Sequence, residues 1–334
     1  MTSTANAATV TKYCDGPEVT WRVSLWGKRR GVTEGIEYAS KAIKEATCGK
    51  FDLKLYYGEQ LSKAKENLDS LKVGAIEVGM VCSSYHPAKI RAVGVLDLPF
   101  LPVASGDWKT LLKLYDTLWE RPELKESLAK WNSRRYLQNL LPMYEYMGRG
   151  QPPKSVDDLK GKRLRALGGM GDSAKAMGAV PTTMPASETY TALQRGTVDA
   201  IGFPFTYTFN AFKLDEISSW YTSNLAAGNV NCFMADRIDA YEKLPKQYQK
   251  IMEEVKAGAY QAMIDDYAAK DKKNLANWRA NPKLTEVKFS DADLDKFRKL
   301  GGQPVWEQWV KDNKEDVPTA QELMDLVLKT AKGG

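Results

Sequence analysis

The chain has one histidine, four cysteines and no long apolar stretch, and each scarcity excludes a class of protein. The single histidine, His86, excludes histidine-rich metal sites and leaves any Ser–His or Cys–His catalytic pair dependent on one residue. Four cysteines in 334 residues are too few for a disulfide scaffold. The longest apolar runs, such as 92–100, are interrupted by Asp97 and Pro99. None therefore reaches the roughly 18–20 apolar residues that a membrane-spanning helix needs.

The remaining composition is that of an ordinary globular protein. Hydrophobic residues make up 43% and charged residues 27%, and a length of 334 residues predicts about two domains. The net charge of +6 comes from 48 basic and 42 acidic residues that are interspersed along the chain. Nucleic-acid binding requires a basic stripe, which this sequence lacks, so we expect no nucleic-acid partner. A modest basic excess suits the attraction of small anions equally well.

Alternating and helical patterns follow one another through the first hundred residues. Strands are predicted at 19–25, 51–57 and 76–81, with helices after Thr33 and over 63–73. This β-α-β-α-β order predicts a mainly parallel sheet. Ligands of such sheets bind beyond the carboxyl ends of the strands, and Trp26, Ser84 and Tyr85 follow those ends here.

A Gly- and Pro-rich loop at 148–153 separates this region from a second α/β pattern. We further predict one helix over 108–131, a strand over 136–146, a flexible glycine loop at 168–171 and one helix of roughly 50 Å over 245–279. A helix of that length is suited to span two lobes.

The common catalytic motifs are absent from the sequence. There is no P-loop, no G-x-S-x-G elbow and no H-E-x-x-H, and His86 is predicted to be a surface or rim residue. Arg165 ends a short predicted strand. From the residues alone it has two interpretations, a surface arginine or a guanidinium that holds a carboxylate in a two-point fork. Because the common catalytic motifs are absent, we expect no enzyme activity, no cofactor and no metal.

Six runs follow one another along the chain: 58–61 (GEQL), 74–79 (GAIEVG), 96–101 (LDLPFL), 155–165 (SVDDLKGKRLR), 177–185 (MGAVPTTMP) and 187–200 (SETYTALQRGTVDA). In this order they closely resemble the solute-binding proteins of tripartite ATP-independent periplasmic (TRAP) transporters, the DctP-like family. The resemblance covers about residues 18–330.

The resemblance implies a two-lobe α/β periplasmic-binding-protein fold with a mainly parallel sheet in each lobe and a ligand cleft between the lobes. We expect lobe I to comprise 1–142 and 230–266, and lobe II to comprise 143–229 and 267–334. The implied function is capture of a small organic acid outside the cytoplasm and its delivery to the membrane subunits of a TRAP transporter. A periplasmic monomer is expected. Residues 1–8 do not read as a signal peptide, which the resemblance implies has been removed.

The resemblance assigns the ligand carboxylate to Arg165, the last arginine of the K-x-x-R run. Two departures from the family pattern bear on the ligand: Phe203 stands where an amide is frequent, and Glu145 stands where a second basic residue is frequent. Together with Trp26 and Tyr85 at the predicted strand ends, they predict a monocarboxylate with an apolar or aromatic body. Packing in the core is the alternative for each of these aromatic residues. Glu145 has two alternative roles, pairing with Arg149 or receiving a cationic group of a zwitterionic ligand. The full predicted ligand-binding set is Arg165, Phe203, Glu145, Trp26, Tyr85, Ser84, Arg149 and Trp220.

The cysteines allow two interpretations. Cys14 and Cys48 each precede a predicted strand, so parallel pairing of those strands brings the two sulfurs together; two buried thiols are the alternative. The oxidising compartment that the resemblance implies favours a Cys14–Cys48 disulfide. Cys82 and Cys232 are expected to be free thiols.

Two other functions remain open from the sequence. One is an extracytoplasmic ligand sensor of the same fold, and the other is an enzyme that uses Glu145 as a base.

Overall fold

The first sheet begins at the predicted strand in which apolar and polar residues alternate. In β1 (Val19–Ser24), Trp21 and Val23 are buried, and β1 pairs in parallel with β2 (Phe51–Tyr56) and β3 (Val78–Cys82). Two later strands, β4 (Ser133–Asn139) and β10 (Cys232–Arg237), complete the sheet order β2-β1-β3-β10-β4. The parallel pairs agree with the predicted crossovers, because a helix connects β1 to β2 and another connects β2 to β3.

This computed structural model describes residues 10–332. The N-terminal segment on which the signal-peptide interpretation rests lies outside the described residues. The described chain divides into two units. The first unit comprises 10–81, 128–140 and 233–268, and the second comprises 82–127, 141–232 and 269–332. The helices that begin in the first unit are α1 (Glu34–Ala46), α2 (Asn67–Lys72), α8 (Ile238–Glu242), α9 (Lys246–Glu254) and α10 (Lys256–Ala280).

The second unit contains a six-stranded sheet in the order β11-β9-β5-β8-β6-β7. The pairs β6–β7, β6–β8 and β9–β11 are parallel, whereas β5 runs antiparallel to β8 and β9. The strands are β5 (Tyr144–Gly148), β6 (Arg163–Arg165), β7 (Val180–Thr182), β8 (Ala200–Pro204), β9 (Trp220–Thr222) and β11 (Thr285–Val287). The helices that begin in this unit are α3 (Trp108–Trp119), α4 (Pro122–Ala129), α5 (Gly168–Ala176), α6 (Thr189–Gln194), α7 (Tyr207–Ala211), α11 (Asp291–Gly301), α12 (Gln303–Asn313) and α13 (Ala320–Lys332).

The second unit includes residues 82–127, which the sequence prediction assigned to lobe I. The reason is packing with distant parts of the chain. Helix α3 packs on α13, and the 3-10 helix Arg91–Asp97 packs on α5, α12 and α13.

Four predicted elements differ from the structure. The run 136–146 is not one strand: it belongs to β4 and β5, which lie in different sheets, with Pro142 between them. The helix expected over 108–131 ends at Trp119, and a new one begins at Pro122. The helix expected over 245–279 is interrupted at Val255, so α10 has 25 residues. The glycine run 168–171 is the first turn of α5, not a flexible loop.

Candidate functional site

Arg165 is the last residue of β6, and its side chain is completely buried. Nη1 donates to the Gly202 carbonyl at 2.8 Å, and Nε and Nη2 donate to the Met184 carbonyl at 3.3 and 3.2 Å. Nη2 also donates to the Tyr85 hydroxyl at 3.3 Å. All of these acceptors are neutral, and within residues 10–332 no carboxylate pairs with this guanidinium. One of the two N–H groups of Nη1 is therefore left for another acceptor.

Phe203 covers the guanidinium of Arg165. The Arg165 Cζ lies 4.4 Å from the centroid of the Phe203 ring, a cation–π contact. The same ring stacks on Phe212 and meets the edge of Phe209, at centroid distances of 5.5 and 5.9 Å. Phe203 therefore belongs both to an aromatic cluster and to the surroundings of Arg165.

Tyr85 joins two elements at this site. It ends the 3-10 helix Ser83–Tyr85, which follows β3 directly. Its hydroxyl accepts the N–H of Ala186 at 3.1 Å as well as the N–H of Arg165. The structure thus brings together three predicted site residues, Arg165, Phe203 and Tyr85.

The guanidinium lies among buried side chains, including those of Tyr144 and Tyr146. Burial raises the pKa of both Tyr144 and Tyr146, while the positive charge of Arg165 acts in the opposite direction. In such a medium a positive charge attracts an anion far more strongly than it does in water. An unpaired buried charge also costs several kcal/mol, roughly 3–5, when its partner is missing.

Glu145 is bonded within the fold. It pairs with Phe203 across β5 and β8, and its carboxylate accepts the hydroxyl of Thr222 and the N–H groups of Leu225 and Ala226. Burial raises the pKa of Glu145 to about 7, although these three donors act to lower it. The pairing of Glu145 with Arg149 does not form, because Arg149 donates instead to the carbonyls of Leu193 and Gln194.

Trp220 and Arg149 lie away from Arg165. Trp220 is in register with Gly148, whereas Arg165 is in register with Ile201 and Met147, one residue along the strands. Neighbouring residues of a strand point to opposite faces, so Trp220 points to the other face of the sheet. There its indole N–H donates to the Arg149 carbonyl at 3.2 Å.

Trp26 belongs to the first unit. It is buried there, with the Arg30 guanidinium 4.5 Å above its ring. His86 was expected at the surface or a rim; this expectation is wrong, since His86 is only 3% exposed. The sequence interpretation assigned no role to Met184 or Gly202. Both bind Arg165 through main-chain carbonyls, for which side-chain identity provides no signal.

Ser84 lines a cavity of about 890 Å³ in the second unit, together with Asp97, Gly168, Gly169 and side chains of α5 and α12. Its hydroxyl is buried and has no hydrogen-bond partner within residues 10–332. Arg165 does not line this cavity.

All four cysteines form disulfides. Cys14 pairs with Cys48, as the resemblance favoured, and Cys82 pairs with Cys232, with Cα–Cα distances of 5.2 and 4.0 Å. The expectation that Cys82 and Cys232 are free thiols is therefore wrong. These two residues lie in β3 and β10, which are neighbours in the first sheet although they are 150 residues apart in sequence.

Among the helices of residues 10–332, none combines the length and the apolar character required to cross a bilayer. Within residues 10–332, no three or more His, Cys, Asp or Glu side chains are grouped so that they could hold a metal ion.

Known proteins resemble this chain along most of its length. The monocarboxylate 2-oxoacid-binding periplasmic protein of Nostoc sp. is 24% identical over 314 residues, which are 90% of this chain and 85% of the relative. The C4-dicarboxylate-binding periplasmic protein of Rhodobacter capsulatus is 29% identical over 205 residues, 58% of this chain and 56% of the relative.

A solved structure shows the same fold. It is a marine-metagenome TRAP solute-binding protein specific for aromatic acids, in complex with 3-hydroxybenzoate. The TM-score is 0.83 at 16% identity, covering 95% of this chain and 99% of that chain.

The family profile of the bacterial extracellular solute-binding protein, family 7 (DctP), matches residues 23–312. This chain therefore belongs to that family, the solute-binding proteins of TRAP transporters.

Proposed function

We propose that this protein binds a small monocarboxylate outside the cytoplasm, holds its carboxylate on Arg165 and delivers it to the membrane subunits of a TRAP transporter. The observation that carries the proposal is the completely buried guanidinium of Arg165, which has only neutral partners and one unfilled N–H group. A ligand carboxylate supplies both the missing negative charge and the missing acceptor.

The ligand class follows from what surrounds the guanidinium. Phe203 covers it with an apolar ring, and Glu145 is fully bonded to Thr222, Leu225 and Ala226. Strand β5 therefore offers no second positively charged side chain that could pair with a second carboxylate of the ligand. This favours ligands with one carboxylate and an apolar or aromatic body. The binding of 2-oxoacids by the Nostoc relative and of aromatic acids by the solved structure is in line with this class, whereas the Rhodobacter relative binds dicarboxylates.

The role of Arg165 is tested by calorimetry with phenylpyruvate. We expect Arg165→Ala to weaken binding by about 3–5 kcal/mol, because it removes one partner of a buried charge pair. Arg165→Lys is also expected to weaken binding, since an ammonium lacks the two parallel N–H donors of a guanidinium. Arg163→Ala, on the same strand but exposed and paired with Asp199, is the matched control and should bind normally. An alanine variant of Arg165 within threefold of wild type would contradict the assignment.

The ligand class is tested by a thermal-shift screen of organic acids. Phenylpyruvate and branched 2-oxo acids should stabilise the protein more than succinate, malate or sialic acid. A ligand at 100 times its Kd adds about 2.7 kcal/mol to the free energy of unfolding, enough to give a clear shift. If succinate or malate gave the largest shift, the assignment of a monocarboxylate would fail while that of Arg165 would stand.

A further inference from the structure

The helical turn that carries Tyr85 is fastened at its beginning by a group of buried residues. Cys82, at the end of β3, is bonded to Cys232 at the start of β10. The next residue, Ser83, donates its N–H to the Asn231 carbonyl at 3.0 Å and its hydroxyl to the Asp97 carboxylate at 2.8 Å. The N–H of Asn231 donates to Asp97 Oδ1 at 2.6 Å. We name these five residues the anchor cluster.

The anchor cluster lies in an environment where its bonds are costly to break. Each of its five residues is at most 4% exposed. Burial raises the pKa of Asp97 to about 7, opposed by the hydrogen bonds from Asn231 and Ser83. Hydrogen bonds in such a low-dielectric interior are strong, and a buried donor left without its acceptor is penalised. Ser83 is therefore held firmly against Asn231 and Asp97.

Only one residue separates Ser83 from Tyr85. The intervening turn is closed by the N–H of His86, which donates to the Ser83 carbonyl at 2.8 Å. Once Ser83 is fixed, the backbone of Tyr85 has little freedom, and its hydroxyl is placed against Arg165 Nη2 and the Ala186 N–H. The contact from Tyr85 acts together with the bonds to the Met184 and Gly202 carbonyls to limit rotation of the guanidinium, and so helps to keep the unfilled Nη1 N–H group in one orientation.

We propose that the anchor cluster positions Tyr85 against Arg165 and in this way increases the affinity of Arg165 for a carboxylate. The part of this proposal that concerns affinity for a carboxylate rests on the proposed function. Cys82 and Cys232 are positioning residues in this scheme, because neither is among the contacts of the guanidinium. A binding group that is ordered in advance loses less conformational entropy when the ligand arrives.

The test is a double-mutant cycle measured by calorimetry with phenylpyruvate. We expect Cys82→Ala with Cys232→Ala to weaken binding about tenfold, and Tyr85→Phe to weaken it similarly, in the range for hydrogen bonds to charged groups. In the Tyr85→Phe background, loss of the disulfide should add less than twofold, because the two changes act on one contact. The matched control, Cys14→Ala with Cys48→Ala, removes the disulfide of the first unit and should leave affinity within twofold of wild type.

A second measurement needs no ligand. The ¹H–¹⁵N resonance of the Arg165 Nε–H group, assigned by its loss in Arg165→Lys, should shift when the Cys82–Cys232 disulfide is removed and in Tyr85→Phe, but not in the control. Asp97→Asn retains the disulfide and the side-chain volume, and should shift the same resonance. It replaces the cysteine variant if that variant does not fold.

Either of two results overturns the proposal. The first is an Arg165 resonance that is unchanged both in Asp97→Asn and in the variant without the Cys82–Cys232 disulfide. The second is a tenfold loss of affinity on removing this disulfide that is just as large in the Tyr85→Phe background. If the wild-type protein binds none of the monocarboxylates of the screen, or if Arg165→Lys binds phenylpyruvate normally, the proposed function fails, and the resonance alone decides whether the cluster positions Tyr85.

Discussion

At the scale of single residues, two charged groups show how burial changes the chemistry of a side chain. Arg165 is completely buried and has neutral acceptors, which is unfavourable for the protein alone and favourable for binding an anion. Glu145 is only 4% exposed but has three donors of its own. Its raised pKa of about 7 reflects desolvation exceeding the effect of those donors.

Glu145 predicts a specific dependence of stability on pH. In the folded state the Glu145 carboxyl group keeps its proton up to about pH 7, whereas in the unfolded chain it loses the proton near its ordinary pKa of 4.5. The contribution to the free energy of unfolding is therefore fully present below about pH 4.5 and is lost as the pH rises through about 7. We expect urea titrations between pH 5 and 8 to show that the free energy of unfolding declines. The decline should be smaller in Glu145→Gln by on the order of 3 kcal/mol.

Asp97 also has a pKa raised to about 7 and contributes a similar decline to both proteins. Only the difference between wild type and Glu145→Gln is therefore attributed to Glu145. Parallel pH profiles would show that Glu145 is ionised in the folded state throughout this range.

At the scale of elements, the start of α5 shows why a glycine run can be helical. Gly169 lies against the backbone of the 97–99 segment, where an added Cβ would be 2.7 Å from the Asp97 carbonyl oxygen and 3.0 Å from Leu98 Cα. The glycine allows α5 to approach this segment closely. A sequence-based interpretation sees only the flexibility of glycine and not the neighbour that requires it.

Gly169→Ala is therefore expected to destabilise the second unit by about 1–3 kcal/mol, because backbone atoms cannot move aside easily. Gly171→Ala is the matched control on the same helix, since its Cβ would meet nothing closer than 3.4 Å. That substitution should be neutral or stabilising by up to about 1 kcal/mol, because alanine favours a helix. Thermal unfolding measures both. Equal effects of the two substitutions would contradict the close packing of α5 on residues 97–99.

At the scale of the whole molecule, two disulfides connect segments that are distant in sequence. Cys14 and Cys48 are separated by 34 residues, and Cys82 and Cys232 by 150. A longer closed loop restricts the unfolded chain more strongly. The second disulfide is thus expected to contribute the larger stabilisation.

Thiol titration of the unfolded, unreduced protein should find no free thiol. Replacing Cys82 and Cys232 by alanine should lower the free energy of unfolding by about 5 kcal/mol, against about 4 kcal/mol for Cys14 and Cys48, from the entropy of loop closure. Denaturant unfolding of the two double variants provides the comparison. Two titratable thiols in the wild-type protein would show that one of these disulfides does not form.

Local patterns determined much of this protein. The alternation of β1 and β2, the helical spacing of α1 and the short strand that ends at Arg165 are all present in the structure, because each depends on the spacing of a few neighbouring apolar residues. The family motifs also identified the family, since they occur in the same order along most of the chain. Arg165 was named as a site residue on the same grounds.

Only the tertiary structure decided the rest, because the relevant contacts join residues that are far apart in sequence. Cys82 meets Cys232 through the pairing of β3 and β10, and Glu145 finds donors about 80 residues further along the chain. Trp220 was included in the predicted ligand-binding set, but the register between β5 and β9 turns it to the face opposite Arg165. A one-residue change in register reverses the face of every side chain, and no local pattern of this sequence specifies that register.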